Sequence, residues 1–350
     1  MLMTAVFVFG QTNLAGSPAG PAGEGPGSGK RGQGSGKRGP GSGSGKRGQF
    51  IPGKPWMDDQ GEVINAHGGG ILYEHGRYYW FGEKRIGEGS LGVNVYSSTD
   101  LYHWTFKALA LAPSTDTASE ITAGCVMERP KVLYNKKTRK YVMWFHLELK
   151  GKGYGAARAA VAVSSSVTGP YTFVSSFRPN GNMSRDMTLF TDDDGSAYQV
   201  YSSRENYDMR IARLSDDFLS VTPVDSLIAS DHQEAPALFR YKGVYYLITS
   251  ACTGWAPNKA SLYTSSSVFG PWKRLGNPMR GEHADLTFGG QSAYVLSLPG
   301  RKGAKGNFIF IADRWNPHDL KDSRYLWLPI EWQDDTMTIP WKDDWDLTIF

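Results

Sequence analysis

Residues 70–82 read Gly70-Ile-Leu-Tyr-Glu-His-Gly-Arg-Tyr-Tyr-Trp-Phe-Gly82, and this stretch decides the fold class. Two runs rich in aromatic and aliphatic residues flank a tight-turn signal at His75-Gly76, a pattern typical of a β-hairpin. The same phrase recurs at residues 128–145, 186–201 and 234–248, and a looser copy spans residues 291–311. The sequence therefore predicts five similar hairpins.

A second pair of short strand patterns follows the hairpins, as at residues 93–98 and 104–108 after the first. Units of four short strands that repeat about every 50 to 60 residues are typical of a β-propeller. We therefore predict an all-β fold, a five-bladed β-propeller over residues 51–350. In such a fold the first strand of each blade lines the central channel, so residues that begin those strands meet at one end of the axis.

The composition excludes several classes of protein. With 40% hydrophobic and 21% charged residues, the chain can bury a substantial core. No stretch approaches the roughly 20 apolar residues of a transmembrane helix, so we expect no membrane span. Cys125 and Cys252 are too isolated for a disulfide scaffold or a zinc ribbon. Residues 51–350 carry a net charge of −1, which removes the electrostatic basis for binding nucleic acid.

Residues 1–50 differ from the rest and carry a net charge of +5. Residues 21–50 repeat a Gly-Ser-Gly-Lys-Arg-Gly phrase and offer almost nothing to bury, so they are predicted to be a disordered basic arm. Residues 1–20 contain a short apolar run without a preceding basic residue, and we interpret them as a truncated signal peptide. This interpretation predicts a secreted or periplasmic protein.

Polar side chains stand at the start of the predicted inner strand in four repeats, namely Glu128, Asp186, Glu234 and Gln291. A single such carboxylate is usually a solvated edge charge, but equivalent positions in several repeats indicate a shared site. Crowded carboxylates push their pKa values apart, so that one group stays protonated near neutral pH while another is ionised. This chemistry is that of a general acid at a glycosidic oxygen.

Aromatic residues near these positions suit a sugar site, because an indole can stack on the apolar face of a pyranose. Trp80, Trp144 and Trp315 are equally explained by packing between blades. Trp255 lies in a loop-like phrase, and we expect Thr253, Gly254 and Trp255 to contact substrate. His67 and His283 are candidate ligands of an axial ion, but no repeated ligand pattern supports such a site, so neither metal nor cofactor is expected.

The blade phrases Arg-Asp-Met-Thr-Leu-Phe around Asp186 and Gln-Glu-Ala-Pro-Ala-Leu-Phe around Glu234 resemble glycoside hydrolase family 43. The phrases His-Gly-Gly-Gly-Ile-Leu, Met-Glu-Arg-Pro-Lys-Val-Leu-Tyr-Asn, Cys-Thr-Gly-Trp-Ala-Pro-Asn and Asp-Arg-Trp-Asn-Pro resemble its exo-β-1,3-galactanase branch, similar to subfamily 24. The resemblance runs from about residue 65 to residue 350. It implies a five-bladed fold and inverting hydrolysis.

The resemblance also implies roles for individual residues. Glu234 would be the general acid and Asp186 the group that orients it and tunes its pKa. Gln291 would hold the attacking water, or act as base in its imidic acid tautomer, and Glu128 would bind the sugar in subsite −1. The usual family base, an aspartate entering the first blade, is replaced here by His67 and the glycines that follow it.

The identity of the base stays open at this point. A neutral amide has little proton affinity, although orienting a water can by itself lower a barrier by several kcal/mol. Glu128 is the alternative base. In that case its carboxyl should lie about 6.5 to 9.5 Å from the carboxyl of the acid, the separation typical of inverting enzymes. Glu83, Arg129 and His67 are further candidates for contacts with sugar hydroxyls, and each is also explicable as a structural residue.

The leading interpretation is an exo-acting, inverting β-1,3-galactanase that releases galactose, or β-1,6-branched galactose, from the non-reducing ends of arabinogalactan side chains. Its partner would be polysaccharide, as β-1,3-galactan or the glycans of arabinogalactan-proteins, and the protein is expected to be a monomer. One alternative is a family 43 arabinofuranosidase or xylosidase. The other is a propeller that has lost catalysis and only binds glycans.

Overall fold

A computed structural model describes residues 48–86, 89–298 and 306–350 of the chain. Within these ranges the regular structure consists of β-strands and five short 3₁₀ helices, at Gly153–Gly155, Pro179–Gly181, Ala284–Gly289, Leu320–Asp322 and Leu347–Ile349. The all-β prediction agrees with this content. Among the described residues, no helix has the length and apolar character needed to cross a membrane.

Four antiparallel sheets contain four strands each, in sequence order. The first comprises β1 (His67–Glu74), β2 (Arg77–Ile86), β3 (Gly89–Ser98) and β4 (Thr105–Leu111). The second comprises β5 (Val126–Asn135), β6 (Lys140–Glu148), β7 (Arg158–Ser164) and β8 (Thr172–Phe177). The third comprises β9 (Met187–Thr191), β10 (Ala197–Ser203), β11 (Asp208–Leu214) and β12 (Val221–Ala229). The fourth comprises β13 (Gln233–Tyr241), β14 (Val244–Ala251), β15 (Ser261–Ser265) and β16 (Lys273–Gly276).

The predicted count of five blades is wrong, because the described residues form six sheets and the propeller is therefore six-bladed. The fifth sheet has three strands, β18 (Gln291–Ser297), β19 (Phe308–Arg314) and β20 (Arg324–Pro329). The sixth joins β17 (Met279–Arg280), β22 (Thr336–Pro340) and β21 (Glu331–Gln333). β17 and β22 pair in parallel although the fifth sheet separates them in the chain. No hairpin phrase marks such a pairing, so counting phrases missed it.

The first strands of the five larger repeats meet around the axis. β1 contacts β5 and β18, β5 contacts β9, and β13 contacts both β9 and β18. The sixth sheet contacts β20 through β22 and the 3₁₀ helix Ala284–Gly289 through β17. The residues that begin the ring strands therefore converge, as the sequence predicted.

Apolar faces of neighbouring sheets bury one another between the blades. Trp80 and Trp327 pack together between the first and fifth sheets, and Trp144 packs between the second and third. Trp80 and Trp144 are at most 1% exposed, so both belong to the core and cannot stack on sugar. Each large aromatic buried in this way removes substantial apolar surface from water, which stabilises the contact between blades.

The two ends of the described chain meet in this core. Phe50 pairs with Trp345 through a backbone bridge, and their rings stack with centroids 4.4 Å apart. Phe50 is the last residue of the predicted arm, yet it is buried, so the folded part of the chain includes it. The predicted signal peptide and the arm up to residue 47 lie outside the described residues.

Candidate active site

A cavity of about 330 Å³ opens where the ring strands begin. Eight of the ten predicted site residues line it: Glu83, Glu128, Arg129, Asp186, Glu234, Gly254, Trp255 and Gln291. Eight further residues complete the wall: Gly68, Arg85, His146, Tyr154, Arg185, Asn206, Cys252 and Trp315. The predicted convergence of the repeats thus produces one polar pit with aromatic side chains at its edge.

Similar backbone irregularities aim two glutamates into this cavity. The β5–β6 pairing slips after Glu128 and the β13–β14 pairing slips after Glu234. The residue that follows each glutamate has a positive φ, 56° at Arg129 and 53° at Ala235. Non-glycine residues rarely adopt this conformation, and it persists where surrounding structure holds a functional geometry. The bulges turn the glutamates from the sheet towards the axis.

Glu128 lies among groups that favour its charge. Arg85 forms an ion pair with it, the His146 Nδ1 atom lies 3.1 Å from Oε2, and the Tyr154 hydroxyl donates a hydrogen bond of 2.7 Å to Oε1. Burial by itself would raise the pKa, but Arg85 and His146 outweigh it and hold the pKa of Glu128 well below its usual range. Glu128 is therefore an ionised carboxylate.

The groups behind Glu128 complete a buried charge network. Arg85 Nε lies 2.8 Å from Oε2 of Glu83, whose pKa rises to about 7 because burial outweighs the attraction of Arg85. His146 Nε2 lies 2.8 Å from Oε1 of Glu148. Burial lowers the pKa of His146, yet hydrogen bonds to Glu128 and Glu148 raise it to about 9, so the imidazole is protonated.

Glu234 lies in contrasting surroundings. Its Oε1 accepts a hydrogen bond of 2.8 Å from Gln291, and its Oε2 accepts one of 3.1 Å from Asn206. Burial, followed by the negative charge of Asp186, raises the pKa of Glu234 to about 8. Arg129 opposes this rise, but it is itself paired with Asp186 at 2.8 Å. The Glu234 carboxyl is accordingly protonated at neutral pH and can donate a proton.

Two indoles and a phenol border the cavity. Trp255 is 42% exposed and packs edge-on against Trp315, with ring centroids 5.5 Å apart. Tyr154 is 46% exposed and directs its hydroxyl at Glu128. Exposed aromatic faces beside hydrogen-bonding groups suit a sugar ring, which has an apolar face and polar edges. The expectation for Trp255 therefore agrees with its position, and Trp315 lines the cavity as well.

Two predicted contact residues do not line the cavity. His67 is fully buried, with Nδ1 3.2 Å from Asp313 and its ring stacked on Tyr325 at 5.2 Å. The Thr253 hydroxyl donates to the carbonyl of Ala256 at 2.6 Å and so shapes the loop before Trp255. Each lies next to a glycine that lines the cavity, Gly68 and Gly254, so both predicted segments reach the cavity although these two side chains do not line it.

Sequence reasoning missed Arg85, His146, Tyr154, Arg185, Asn206 and Cys252. Strand geometry offers a signal for two of them. Arg85 follows Glu83 by two residues on β2, and in a regular strand two such side chains share a face, although the β2–β3 register shifts between them. His146 is the register partner of Glu128 across the β5–β6 pair. Asn206 and Cys252 lie at the ends of other strand pairs, and no local pattern identifies them.

Among the described residues, one group of side chains has the spacing of a metal site. Glu128, His146 and Asp186 each offer a ligand atom, and these atoms lie within 4.8 Å of one another. A metal-bound histidine must present a free nitrogen lone pair. Both ring nitrogens of His146 face carboxylates, Nδ1 at 3.1 Å from Glu128 and Nε2 at 2.8 Å from Glu148, so a metal on Nδ1 would replace the proton that links His146 to Glu128. His283, the other histidine named as a candidate ion ligand, has a side chain that is 70% exposed.

Comparisons with known proteins give consistent matches. A family model described as glycosyl hydrolases family 43 matches residues 68–335. A solved family 43 β-1,3-galactosidase with galactodeoxynojirimycin is 49% identical, with a TM-score of 0.82, and the match covers 85% of this chain and 100% of that one. A second family 43 β-1,3-galactosidase is 43% identical, with a TM-score of 0.83, covering 86% and 64% of the two chains.

An exo-β-1,3-galactanase from Phanerochaete chrysosporium, solved as a glutamate-to-alanine variant with β-1,3-galactotriose, is 36% identical. Its TM-score is 0.79, and the match covers 85% of this chain and 68% of that one. Among curated protein sequences, none matches this chain significantly.

Proposed function

Because this chain belongs to glycoside hydrolase family 43 and is a glycosidase, we propose that it is an exo-acting, inverting β-1,3-galactanase. It releases galactose, or galactose that carries a β-1,6 branch, from the non-reducing ends of arabinogalactan side chains. The observation that carries the proposal is a single cavity that contains both a protonated glutamate, Glu234, and an ionised one, Glu128. The similar solved structures, named as a β-1,3-galactosidase and an exo-β-1,3-galactanase, support the substrate.

Buried polar side chains lie behind the inner end of the cavity. Gly68 lines the cavity, and its carbonyl accepts a hydrogen bond of 2.8 Å from the buried Lys131. The Gly68 amide donates to the buried Asp313 at 3.0 Å. The proposal of exo action comes from the similarity to a solved exo-β-1,3-galactanase.

In the proposed mechanism Glu234 is the general acid. Its raised pKa keeps it protonated at neutral pH, so it can protonate the departing glycosidic oxygen. Asp186 raises that pKa and orients the neighbouring backbone, since its Oδ2 accepts a hydrogen bond from the Ala235 amide at 3.1 Å. Glu128 binds the terminal sugar, and its charge stabilises the positive charge that develops on the ring in the transition state.

The groups around the sugar supply the remaining contacts. Glu83 and Arg129 hold the carboxylates in place and offer polar atoms to hydroxyls, while Trp255 and Gly254 form the outer wall. Gln291 and Glu128 are the two residues available to position and deprotonate the attacking water. Replacing each by Ala and adding azide distinguishes them, because azide restores turnover, as galactosyl azide, to the variant that lacks the base.

Reducing-end analysis and proton NMR test the proposal together. Digestion of β-1,3-galactan is expected to give monosaccharide from the first time point, and the first galactose detected should be the α-anomer. A ladder of oligosaccharides would exclude exo action, and early β-galactose would exclude inversion. Aryl α-arabinofuranoside and β-xyloside serve as controls that should not be cleaved at a comparable rate.

The substrate also bears on location and assembly. A polysaccharide is too large to cross a membrane unaided, so the proposed substrate fits the secreted or periplasmic protein that the sequence predicted. Cell fractionation with N-terminal sequencing of the mature chain checks this prediction, and a cytoplasmic full-length product would contradict it. Light scattering of the purified protein checks the expected monomer.

A further inference from the structure

The side-chain amide of Gln291 uses all of its hydrogen-bonding capacity within the cavity. Its Oε1 accepts hydrogen bonds from Arg129 Nη2 and, at 2.9 Å, from Trp315 Nε1. Its Nε2 donates to Glu234 Oε1 at 2.8 Å and lies 3.2 Å from Ser250 Oγ. A primary amide has two acceptor positions on oxygen and two hydrogens on nitrogen, so these four contacts saturate it in the sugar-free protein, and Gln291 can hold a water only by giving one of them up.

The neighbours of Gln291 decide which way the amide points. An arginine guanidinium and a tryptophan indole N–H are donors without any acceptor capacity. The Gln291 atom that faces them must therefore be the oxygen, and the nitrogen must face Glu234. An amide orientation is ordinarily ambiguous from heavy atoms alone, but two donor-only partners remove the ambiguity here.

We propose that Trp315 is a positioning residue that, together with Arg129, fixes the orientation and the tautomer of Gln291, so that the amide nitrogen holds Glu234 in place. This inference rests on the proposed function, because it assigns Trp315 a part in the same hydrolytic reaction. It gives the indole N–H a role that is separate from stacking on a sugar.

The donor pair also decides the tautomer of Gln291. The imidic acid form would place a hydroxyl where both neighbouring groups already point a hydrogen at the oxygen. That hydroxyl would displace Arg129 or Trp315 and leave a polar group in the cavity without a partner, which is unfavourable. The resting side chain is therefore the ordinary amide, and it serves Glu234 as a hydrogen-bond donor.

This arrangement holds the Glu234 carboxyl from two sides. Its Oε1 accepts a hydrogen bond from Gln291 and its Oε2 accepts one from Asn206. Gln291 therefore fixes the position of one of the two carboxyl oxygens.

Trp315 is held firmly enough to act in this way. Its ring lies 5.7 Å from the His67 ring and 5.5 Å from the Trp255 ring, measured between centroids. The Arg129 guanidinium carbon lies 5.9 Å from the centre of the same indole. These contacts on several sides fix the direction of the N–H, so the buried His67 supports the site from behind.

Neutron diffraction of deuterium-exchanged crystals of the sugar-free protein tests orientation and tautomer without any need for turnover. The proposal expects two deuterons on the Gln291 atom that faces Glu234, one on the indole nitrogen of Trp315, and none on the Gln291 atom between Arg129 and Trp315. A deuteron on that last atom, as amide or as imidic acid, overturns the proposal.

Kinetics with β-1,3-galactobiose test the positioning role. Two variants remove the indole N–H. One is Trp315→Phe, and the other places 3-benzothienylalanine at position 315. The second keeps the bicyclic shape and serves if the smaller phenyl ring impairs folding. Each is expected to lower kcat about tenfold or more with little change in KM. In a Gln291→Ala background the same changes should cost less than about twofold, because a residue that acts through Gln291 has nothing left to position.

Trp332→Phe is the matched control. Its indole donates to the Gly306 carbonyl at 3.2 Å and is not among the residues that line the cavity, so kcat should stay at the wild-type value. A Trp315 variant with normal kcat and a raised KM would show that the indole only binds sugar. Additive losses of kcat in the double variant would show that Trp315 does not act through Gln291. Either result overturns the inference.

The failure of the proposed function would look different. If the wild-type enzyme cleaved no β-1,3-galactobiose, the galactanase proposal would fail, while the deuteron positions would still decide how Gln291 is held. If the wild type turned over normally and the Trp315 variants did too, only the positioning role would fail.

Discussion

Glu128 and Glu234 occupy equivalent places in two repeats of one chain, and yet they carry different protonation states. Each stands near the beginning of a ring strand, precedes a residue of positive φ and lies at a slip in strand register. The pKa of Glu128 is held well below its usual range, whereas that of Glu234 rises to about 8.

Their neighbours account for the difference. Glu128 faces the cations Arg85 and His146, while Glu234 faces the anion Asp186 and the neutral amides of Asn206 and Gln291. Repetition of a backbone motif therefore delivers carboxyls to a site, and the side chains of adjacent blades decide which one keeps its proton.

The largest effect is expected from Glu234→Gln, which removes the proposed acid but preserves its shape and one of its two acceptor oxygens. The kcat for β-1,3-galactobiose should fall by about 10³-fold, within the usual range for general acid catalysis, with sugar binding retained. Initial rates and calorimetric titration with galactose measure the two quantities. Glu331→Gln, in a surface pair with Lys342, is the control, and turnover of Glu234→Gln near the wild-type rate would reassign the acid.

The next largest effect is expected from Glu128→Gln, because it leaves Arg85 and His146 without their shared counter-charge. Breaking a buried ion pair costs about 3 to 5 kcal/mol, so the free energy of unfolding should fall in urea titrations along with activity. Glu234→Gln should be much less destabilising at pH 7, since it replaces a neutral group. Equal destabilisation of both variants would contradict the contrast in charge. Asp216→Asn, in an exposed pair, should leave stability unchanged.

The pH dependence of kcat/KM also tests the contrast between the protonated Glu234 and the ionised Glu128. Glu234 must be protonated to act, so kcat/KM of the wild type should fall as pH rises through about 8. Asp186→Asn removes a negative charge that raises this pKa, and the basic limb should move to lower pH by about one unit. A pH series with β-1,3-galactobiose measures the shift. A limb that stays fixed or moves upwards would exclude Asp186 as the group that tunes Glu234.

The smallest effect is expected from Tyr154→Phe, which deletes one neutral donor to Glu128 and leaves the cations in place. Loss of a single hydrogen bond is worth about 0.5 to 1.5 kcal/mol, so kcat/KM should fall by about threefold to tenfold. A loss as large as that of Glu128→Gln would mean that the phenol, and not the cations, maintains the charge of Glu128.

The sequence predicted those site residues that occupy equivalent positions in the repeats. Glu128, Asp186, Glu234 and Gln291 stand at comparable points of recurring phrases, and all four line the cavity. Predicted membership of family 43 is confirmed by the family model and the similar structures. Next to His67 and Thr253 it is the neighbouring Gly68 and Gly254 that line the cavity, because a pattern locates a loop better than it locates the residue that faces inwards.

Other parts of the molecule needed the folded chain. The sixth sheet joins β17 to β22 across an intervening blade, and His146 meets Glu128 only through strand register. Asn206 reaches Glu234 from a turn in the third sheet. Such pairings bring together residues that are distant in the chain, and no local periodicity encodes them.

The amino-acid order alone determined that the chain forms hairpin repeats, that polar groups begin their inner strands, and that the body is nearly neutral. Hydrophobic periodicity and turn chemistry are local, so they can be read along the chain. Which glutamate is ionised, how the Gln291 amide points and how many sheets form were decided by tertiary contacts. Burial and the charges of neighbouring blades set a pKa, and these exist only after distant strands have packed together.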